Sequence, residues 1–299
     1  MLVLALESST SSAKALLFDT EKGVLDSKSK KYDSSICADG KTDTDAVFRL
    51  TMALDRETAA GRKIDAVALC GTWHSISVCD DSMFPVTPTF SWEFMEPSEQ
   101  CRKIRRNDQI AGACNCINWF VDRYIPGKLS FEELEKPDNV LRDIPVFLPF
   151  LYGERCPGWH DDRLGGFAEV KPSHSILDFY RALQAGILFN VFQCYEILCK
   201  ECGEPEQIFL SGGILNSEQW TQMAADVLNR ELYCMKIRDA SLMGAVVLAL
   251  LAAGEIPDIS EIPEECTASK IVRPRAEFTK YYHEQYGRYK YWYEKTMQY

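Results

Sequence analysis

The sequence contains no apolar run long enough to span a membrane and no extended basic segment. Its longest uninterrupted apolar run, residues 245–253, is well short of the roughly 20 residues that a transmembrane helix needs. The N-terminus does not show the basic region and apolar core of a secretory signal. No cluster of lysine and arginine is longer than the local run at residues 102–106, and the net charge is −11. We therefore expect a cytoplasmic protein whose partners are neither membranes nor nucleic acids.

Histidine is scarce and paired cysteine spacing is rare, although the chain has 12 cysteines and 4 histidines. The one Cys-x-x-Cys pair, Cys199 and Cys202, has no histidine nearby in the sequence. Zinc and iron–sulfur sites usually show a second pair at ligand spacing. A disulfide framework is typical of small secreted chains, and this chain is large. We expect reduced thiols without a bound metal.

The stretch from residue 208 to 254 has the pattern of a strand, a turn, a helix, a second strand and a second helix. A short apolar run, residues 208–210, stops at Gly212 and Gly213, as a strand does before a turn. Asn216 is predicted to cap the first helix, with Gln219 reaching back. Paired glycines before a helix let a ligand approach the backbone closely, but such a turn also occurs without any ligand.

The second helix of this stretch is apolar on nearly all sides, which is typical of an interior helix. It follows Asp239, carries Gly244 early and ends at Gly254, the residue type that favours helix termination. We therefore expect the helix to lie inside the domain that contains the Gly212–Gly213 turn.

The whole stretch resembles the adenosine end of the FGGY carbohydrate kinases, which belong to the actin-like ATPase superfamily. The resemblance rests on the double glycine, on Ser217, Trp220, Gln222, Ala225 and Asp226, and on the later pair Gly244 and Ala245. It implies that Gly212, Gly213 and Asn216 contact the adenine nucleotide. It also implies that Gly244 allows close packing beside that nucleotide.

The N-terminal segment LESSTSSAKALLFD reads as a hairpin with a turn rich in hydroxyl side chains. Taken alone, this turn is compatible with plain solvation. The segment resembles the first phosphate motif of the FGGY kinases, which begins Asp, Gly, Thr, and here Glu7 replaces the aspartate and Ser9 the glycine. The resemblance implies that Thr10, Ser11 and Lys14 contact ATP phosphates and that Glu7 holds Mg²⁺ through water.

Two further segments resemble the sugar side of the family. Trp73 and His74 interrupt a pair of predicted strands, where family members have a Met-His or Trp-His turn that faces the sugar. Trp92 matches the first residue of a Trp-x-Asp-x-Arg sugar clamp, but Phe94 and Glu96 replace its aspartate and arginine. The resemblance implies that Trp73, His74 and Trp92 contact a sugar or sugar acid, gluconate or a ketopentose in particular.

The chain is shorter than the FGGY kinases, and the missing part falls between Arg106 and Ala111. In the family that part holds the catalytic aspartate and a second phosphate loop, so we assign no catalytic residue. After the join, residues 147–166 resemble a family loop through Gly153, Glu154, Arg155, Pro157, Trp159 and Gly165. Leu164 stands where the family has arginine, and Arg163 comes one place early.

These observations predict an α/β protein with actin-like, ribonuclease H-like domains. Residues 1–108 are expected to form an incomplete N-terminal sugar-side domain, and residues 109–299 a C-terminal nucleotide-binding domain. The expected function is an ATP- and Mg²⁺-dependent carbohydrate kinase. The alternatives are a nucleotide-binding relative without phosphotransfer and a compact actin-like ATPase such as a dehydratase activator. A tyrosine stripe near the C-terminus is expected to pack against its own domain or a second subunit, so a homodimer stays open.

Overall fold

A computed structural model divides the chain into two compact units. The first contains Met1–Asp108 and Lys236–Thr267, and the second contains Gln109–Met235 and Ala268–Tyr299. The structure describes residues 1–38, 40–71, 75–82, 84–90, 113–125, 127, 130–151, 153–154, 156–160, 163–236, 239–259, 261 and 268–296. The first segment of the first unit ends at residue 108. Residues 236–267 differ from expectation, because they belong to the first unit rather than the second.

The first unit is built on a four-stranded sheet in the order β3-β2-β1-β6. Its strands are β1 (Leu2–Ser8), β2 (Ser12–Asp19), β3 (Gly23–Lys31) and β6 (Ala66–Gly71). The first three form the expected antiparallel meander, and β6 pairs parallel to β1. A parallel pair requires a crossover, and α1 (Thr44–Ala59) provides it. A small second sheet contains β4 (Cys37–Ala38), β5 (Lys41–Thr42) and β7 (Thr89–Phe90).

The two faces of the four-stranded sheet are covered by different helices. Because successive side chains in a strand alternate between faces, Leu4 and Leu6 pack with Leu54 of α1 on one side. Val3 and Ala5 point to the other side and pack with a helix from the C-terminal half of the chain, here called α6 (Ala240–Ala253).

Burial of α6 against this sheet explains why residues 236–267 join the first unit. Leu242, Met243 and Val246 are at most 1% exposed in the shared core with the sheet. The opposite side of the helix is open, with Leu248 57% exposed. The expectation of an interior helix is therefore right for one side only, and its placement in the second domain was wrong in this structure.

The second unit contains two small sheets and several helices. The sheets have the orders β10-β11-β12 and β8-β9. Its strands are β8 (Val146–Leu148), β9 (Gly166–Ala168), β10 (Ile208–Leu210), β11 (Leu232–Met235) and β12 (Ala268–Val272). Its helices are α2 (Ala113–Tyr124), α3 (Phe131–Leu134), α4 (Ile176–Cys202), α5 (Glu218–Leu228) and α7 (Ala276–Lys295), with a 3₁₀ turn at Gly213–Asn216.

The long helix α4 forms the centre of the second unit. It begins at a capping box in which the Ser175 hydroxyl accepts from the Asp178 N–H and the Asp178 carboxylate accepts from the Ser175 N–H. Among the helices in the described ranges, α4 is the one whose length and composition would allow it to cross a membrane. Its residues Tyr180 and Leu183 are fully enclosed in the core, which is how a core helix of a globular unit is placed.

The tyrosine stripe of α7 packs inside the second unit. Tyr282, Tyr286, Tyr289 and Tyr293 are between 0% and 8% exposed and belong to the same core cluster as α4. Three of these rings stack in sequence along the helix, with centroids 6.0 Å and 6.1 Å apart. Of the two expected roles for the stripe, packing against its own domain is therefore confirmed.

Candidate functional site

Lys14 lies between two carboxylates of the first unit. Its Nζ is 2.9 Å from Glu7 Oε2 and 2.8 Å from Asp239 Oδ1. Glu7 and Lys14 are directly opposite in the β1–β2 pair, so their side chains lie on the same face of the sheet. Asp239 is the residue before α6, and Ser241 in the first turn of α6 donates to Glu7 Oε1 at 3.0 Å.

The two carboxylates keep the Lys14 ammonium charged. Burial by itself lowers the pKa of Lys14, but hydrogen bonds and charge interactions with Asp239 and Glu7 outweigh it and raise the pKa above its ordinary value. Two carboxylates around one ammonium leave the group with one net negative charge. Glu7 is 8% exposed, so the charged groups of Glu7 and Lys14 are partly shielded from solvent.

The turn that follows β1 is held together by its own hydroxyl groups. The Ser9 hydroxyl donates to the Ser12 carbonyl at 2.9 Å and lies 3.0 Å from the Ser12 hydroxyl. The Ser9 N–H also donates to the Ser12 carbonyl at 2.9 Å. These bonds fix the shape of the turn and leave Thr10 and Ser11 at its tip, with Ser11 exposed. A serine in place of the family glycine therefore supplies a side chain that closes the turn.

The oxygen ligands near Lys14 suit a hydrated magnesium ion better than a directly ligated one. Both Glu7 oxygens already have a partner, Lys14 or Ser241, while the Asp239 side chain is 28% exposed. Within the described ranges, no group of three or more acidic, histidine or cysteine side chains forms a metal cage. Mg²⁺ commonly keeps several waters and uses one or two carboxylates together with phosphates. Glu7 and Asp239 fit that role.

The Gly212–Gly213 turn in the second unit presents an open surface. Gly212 has φ +85° and ψ −160°, a backbone conformation that is essentially restricted to glycine. A Cβ added at Gly212 or Gly213 would meet no atom within 4 Å. The space outside the turn is therefore free for a flat ligand to approach the backbone.

The helix after this turn is capped by Ser217, and the predicted cap at Asn216 is wrong. The Ser217 hydroxyl accepts from the Trp220 N–H at 2.9 Å. Asn216 ends the 3₁₀ turn Gly213–Asn216 and is exposed. Gln219 does not reach back, since its side-chain oxygen accepts from the Asp138 N–H at 3.1 Å. The extra 3₁₀ turn moves the start of α5 by one residue.

The structure gathers the predicted nucleotide residues into two groups. Lys14, with Thr10, Ser11 and Glu7 nearby in the chain, belongs to the first unit, and so does Gly244 on the exposed side of α6. Gly212, Gly213 and Asn216 belong to the second unit. The predicted sugar contacts Trp73, His74 and Trp92 lie outside the described residues.

Sequence reasoning missed two partners of the Glu7–Lys14 pair. Asp239 pairs with Lys14 and Ser241 donates to Glu7, although more than 220 residues separate them from the pair. The signal available in the sequence was that both residues lie at the start of the helix that carries Gly244, itself a predicted nucleotide residue. The predicted hairpin and helix gave no indication that they would meet.

The loop that resembles the family motif at residues 147–166 is closed by a buried ion pair. Glu154 Oε2 lies 2.9 Å from Arg163 Nη1, and Glu154 also accepts from the Gly158 N–H at 2.9 Å. A Cβ at Gly165 would lie 2.5 Å from the Leu148 carbonyl, so this glycine permits close approach of two backbones. Arg155 lies outside the described residues.

Comparison with known proteins assigns the chain to one family. The family model for the C-terminal domain of the FGGY family of carbohydrate kinases matches residues 58–253. A gluconokinase of Bacillus licheniformis is 30% identical over 201 residues, which are 61% of this chain and 39% of that protein. A xylulose kinase of Staphylococcus epidermidis is 27% identical over 186 residues, which are 61% and 37% of the two chains. The chain thus spans about two fifths of the length of the curated relatives it matches.

Solved structures show the same fold at low sequence identity. A ligand-bound xylulose kinase from Lactobacillus acidophilus matches with a TM-score of 0.77 and 15% identity, over 99% of this chain and 98% of that chain. A gluconate kinase from the same organism matches with a TM-score of 0.74 and 15% identity, over 97% of each chain. The expected α/β class with actin-like domains is confirmed. Since the family model covers more than half of its residues, the chain belongs to the FGGY family of carbohydrate kinases.

Proposed function

We propose that this chain binds ATP with Mg²⁺ and acts in phosphoryl transfer from ATP to a hydroxyl of a sugar or sugar acid. The observation that carries the proposal is the charged Lys14 beside the polar turn, held by Glu7 and Asp239, in a chain that belongs to a carbohydrate kinase family. A dehydratase activator, the compact ATPase considered above, would not account for that family membership.

Each group of residues has a role in this proposal. Lys14 supplies a positive charge for a phosphate, and the tip residues Thr10 and Ser11 offer hydroxyl and backbone donors. Glu7 and Asp239 would hold the waters of a magnesium ion, which neutralises phosphate charge when bound. The open Gly212–Gly213 turn and the exposed Asn216 would accept the adenine and ribose. Gly244 places no side chain at its own position on the exposed side of α6.

The substrate class rests on the relatives. The matched proteins are named gluconokinase and xylulose kinase, so gluconate and ketopentoses are the substrates to test first. Trp73, His74 and Trp92 are the proposed contacts. Phe94 in place of the clamp aspartate removes a hydrogen-bond acceptor for a sugar hydroxyl, which argues that the sugar is held differently from the usual family mode. A cytoplasmic location, where ATP is available, is part of the proposal.

Titration calorimetry with ATP and with ADP tests the nucleotide site. Gly213→Val is the informative variant, because its side chain would enter open space in the ligand-free protein and would occupy the proposed adenosine site. We expect it to abolish ATP binding while leaving the melting temperature near that of the parent. Equal affinity in parent and variant would place the nucleotide elsewhere.

A thermal-shift panel of sugars and sugar acids tests the substrate class. Stabilisation of the parent by gluconate or a ketopentose, and not by unrelated polyols, is expected. His74→Ala should remove that stabilisation, with His160→Ala as the control on a histidine outside the proposed sugar side. A panel in which no sugar stabilises the parent would favour the alternative, a nucleotide-binding relative without phosphotransfer.

A further inference from the structure

The Glu135 carboxylate fastens the start of α5 to α4. Three side chains donate to it. The Ser217 hydroxyl and the Tyr180 hydroxyl form short hydrogen bonds with its two oxygens, and Gln184 Nε2 lies 3.1 Å and 3.0 Å from them. Tyr180 and Gln184 belong to α4, and Ser217 caps α5. Glu135 therefore joins the two helices at the point where α5 begins.

The donors to Glu135 are fixed by further contacts. Gln184 is fully buried, and its side-chain oxygen accepts from Arg181 Nη1 at 2.8 Å, so its amide nitrogen must face Glu135. The Ser217 hydroxyl is 5% exposed and already accepts from the Trp220 N–H. Its single proton is thereby directed to Glu135. Burial and the Glu135 carboxylate both raise the pKa of Tyr180, so this phenol remains a donor.

The same contacts determine the position of the Gly212–Gly213 turn. The four residues Gly213–Asn216 form the 3₁₀ turn, and Ser217 follows it directly. The Ser217 N–H and the Thr221 hydroxyl both donate to the Ile214 carbonyl, at 3.1 Å and 3.0 Å. Leu215 N–H donates to the Gly212 carbonyl at 3.1 Å. The turn is thus tied to the start of α5, and the start of α5 is tied to Glu135.

The charge of Glu135 adds an electrostatic reason for this arrangement. The N-terminus of a helix carries partial positive charge, and a carboxylate near it is stabilising. Glu135 reaches that terminus through the capping serine. Glutamine at this position would lose this interaction and would place its amide N–H against Gln184 and one of the two hydroxyl donors, Ser217 or Tyr180.

We propose that Glu135 is a positioning residue that holds the Gly212–Gly213 turn, through Ser217, in the geometry required for nucleotide binding. The inference rests on the proposed nucleotide site. Glu135 does not itself contact the ligand. It affects nucleotide affinity through the cap of α5 and the 3₁₀ turn.

Hydrogen exchange of the ligand-free protein tests the structural half of this inference. Glu135→Gln and Ser217→Ala should each speed exchange of a peptide covering residues 211–221 by about tenfold, because the loss of a helix cap loosens the first turn. Ser217→Thr keeps the hydroxyl and should retain the parent rate. Glu132→Gln, an exposed carboxylate in α3, is the matched control and should change nothing. Unchanged exchange in Glu135→Gln would overturn the inference.

Calorimetry with ADP tests the functional half. Glu135→Gln and Ser217→Ala should each weaken ADP affinity about five- to tenfold, and the double variant should lose less than the product of the two single losses, since both variants remove the Ser217–Glu135 contact. Losses that multiply in the double variant, or an unchanged affinity in Glu135→Gln, would overturn the inference. If the parent itself binds no nucleotide, the proposed function fails, and hydrogen exchange still decides whether Glu135 holds the turn.

Discussion

Arg163 and Glu154 form an ion pair that is closed off from solvent on all sides. Their side chains are 1% and 0% exposed, and Nη1 lies 2.9 Å from Oε2. The guanidinium also lies over the Tyr293 ring, 3.9 Å from its centroid, and the Tyr293 hydroxyl donates to Glu154. Burial and the Glu154 carboxylate raise the pKa of Tyr293 to about 12. The hydrogen bond and the cation–π contact of Tyr293 thereby fasten the loop at residues 147–166 to α7.

Arg163→Met should destabilise the protein by about 3–5 kcal/mol, because it leaves the Glu154 carboxylate buried without its cation. Chemical denaturation of parent and variant gives this difference in the free energy of unfolding. The double variant Glu154→Gln/Arg163→Met removes both charges and should recover part of the loss.

Lys171 provides the matched control for this measurement. It pairs with Asp143 on the surface, where both side chains are 54% exposed, and Lys171→Met should cost less than about 1 kcal/mol. Equal costs for Arg163→Met and Lys171→Met would mean that the Glu154–Arg163 pair is open to water.

Lys14 should contribute stability that is lost only at high pH. Its pKa is raised in the folded protein above about 10.5. The contribution is therefore complete below the unfolded-state pKa and disappears as the pH rises through the folded-state pKa. The difference in unfolding free energy between the parent and Lys14→Met should stay constant from about pH 8 to 10 and shrink above that.

Lys22, an exposed lysine in the β2–β3 turn, serves as the control for the Lys14 measurement. Lys22→Met should show no such change with pH relative to the parent. A difference for Lys14→Met that is flat up to pH 12 would indicate that the ammonium is not held by Glu7 and Asp239.

The two glycines of the nucleotide turn should respond differently to alanine. Gly212→Ala forces a side chain into a glycine-only conformation and should cost about 1–3 kcal/mol of unfolding free energy. Gly213→Ala places its Cβ in open space and should be neutral or stabilising by up to about 1 kcal/mol. Urea denaturation of the two variants separates them. Similar costs at the two positions would contradict the Gly212 backbone geometry.

The elements that sequence reasoning placed well are those whose signal is local. The apolar runs along β1 and β2 and the helical spacing of the tyrosines along α7 each lie within one segment, and Tyr289 falls on the buried face of α7. The cap of α5 depends on a single residue, and the 3₁₀ turn before it moved that role from Asn216 to Ser217. A short irregular turn has no periodic pattern from which it can be predicted.

The features that sequence reasoning missed depend on contacts between distant residues. The apolar pattern of α6 indicates burial but not the sheet that buries it, so residues 236–267 were assigned to the wrong unit. The same helix brings Asp239 to Lys14. Arg163 comes one place early relative to the family motif and pairs with Glu154, while Leu164 at the motif position is 79% exposed.

The purified chain should bind ATP and transfer its phosphate slowly. A catalytic base must lie within hydrogen-bond reach of the hydroxyl that it activates, and the family segment that carries this aspartate has no counterpart between Arg106 and Ala111. Loss of a positioned base lowers the rate by about 10²- to 10⁴-fold, and loss of a phosphate-binding loop adds to that.

The measurement is ADP formation from ATP with gluconate or a ketopentose, in parallel with ATP binding by calorimetry. Lys14→Met provides the background rate, because it removes the proposed phosphate contact. A turnover of roughly 1 to 10³ per second that Lys14→Met abolishes would contradict this prediction and show that another carboxylate of the chain serves as the base.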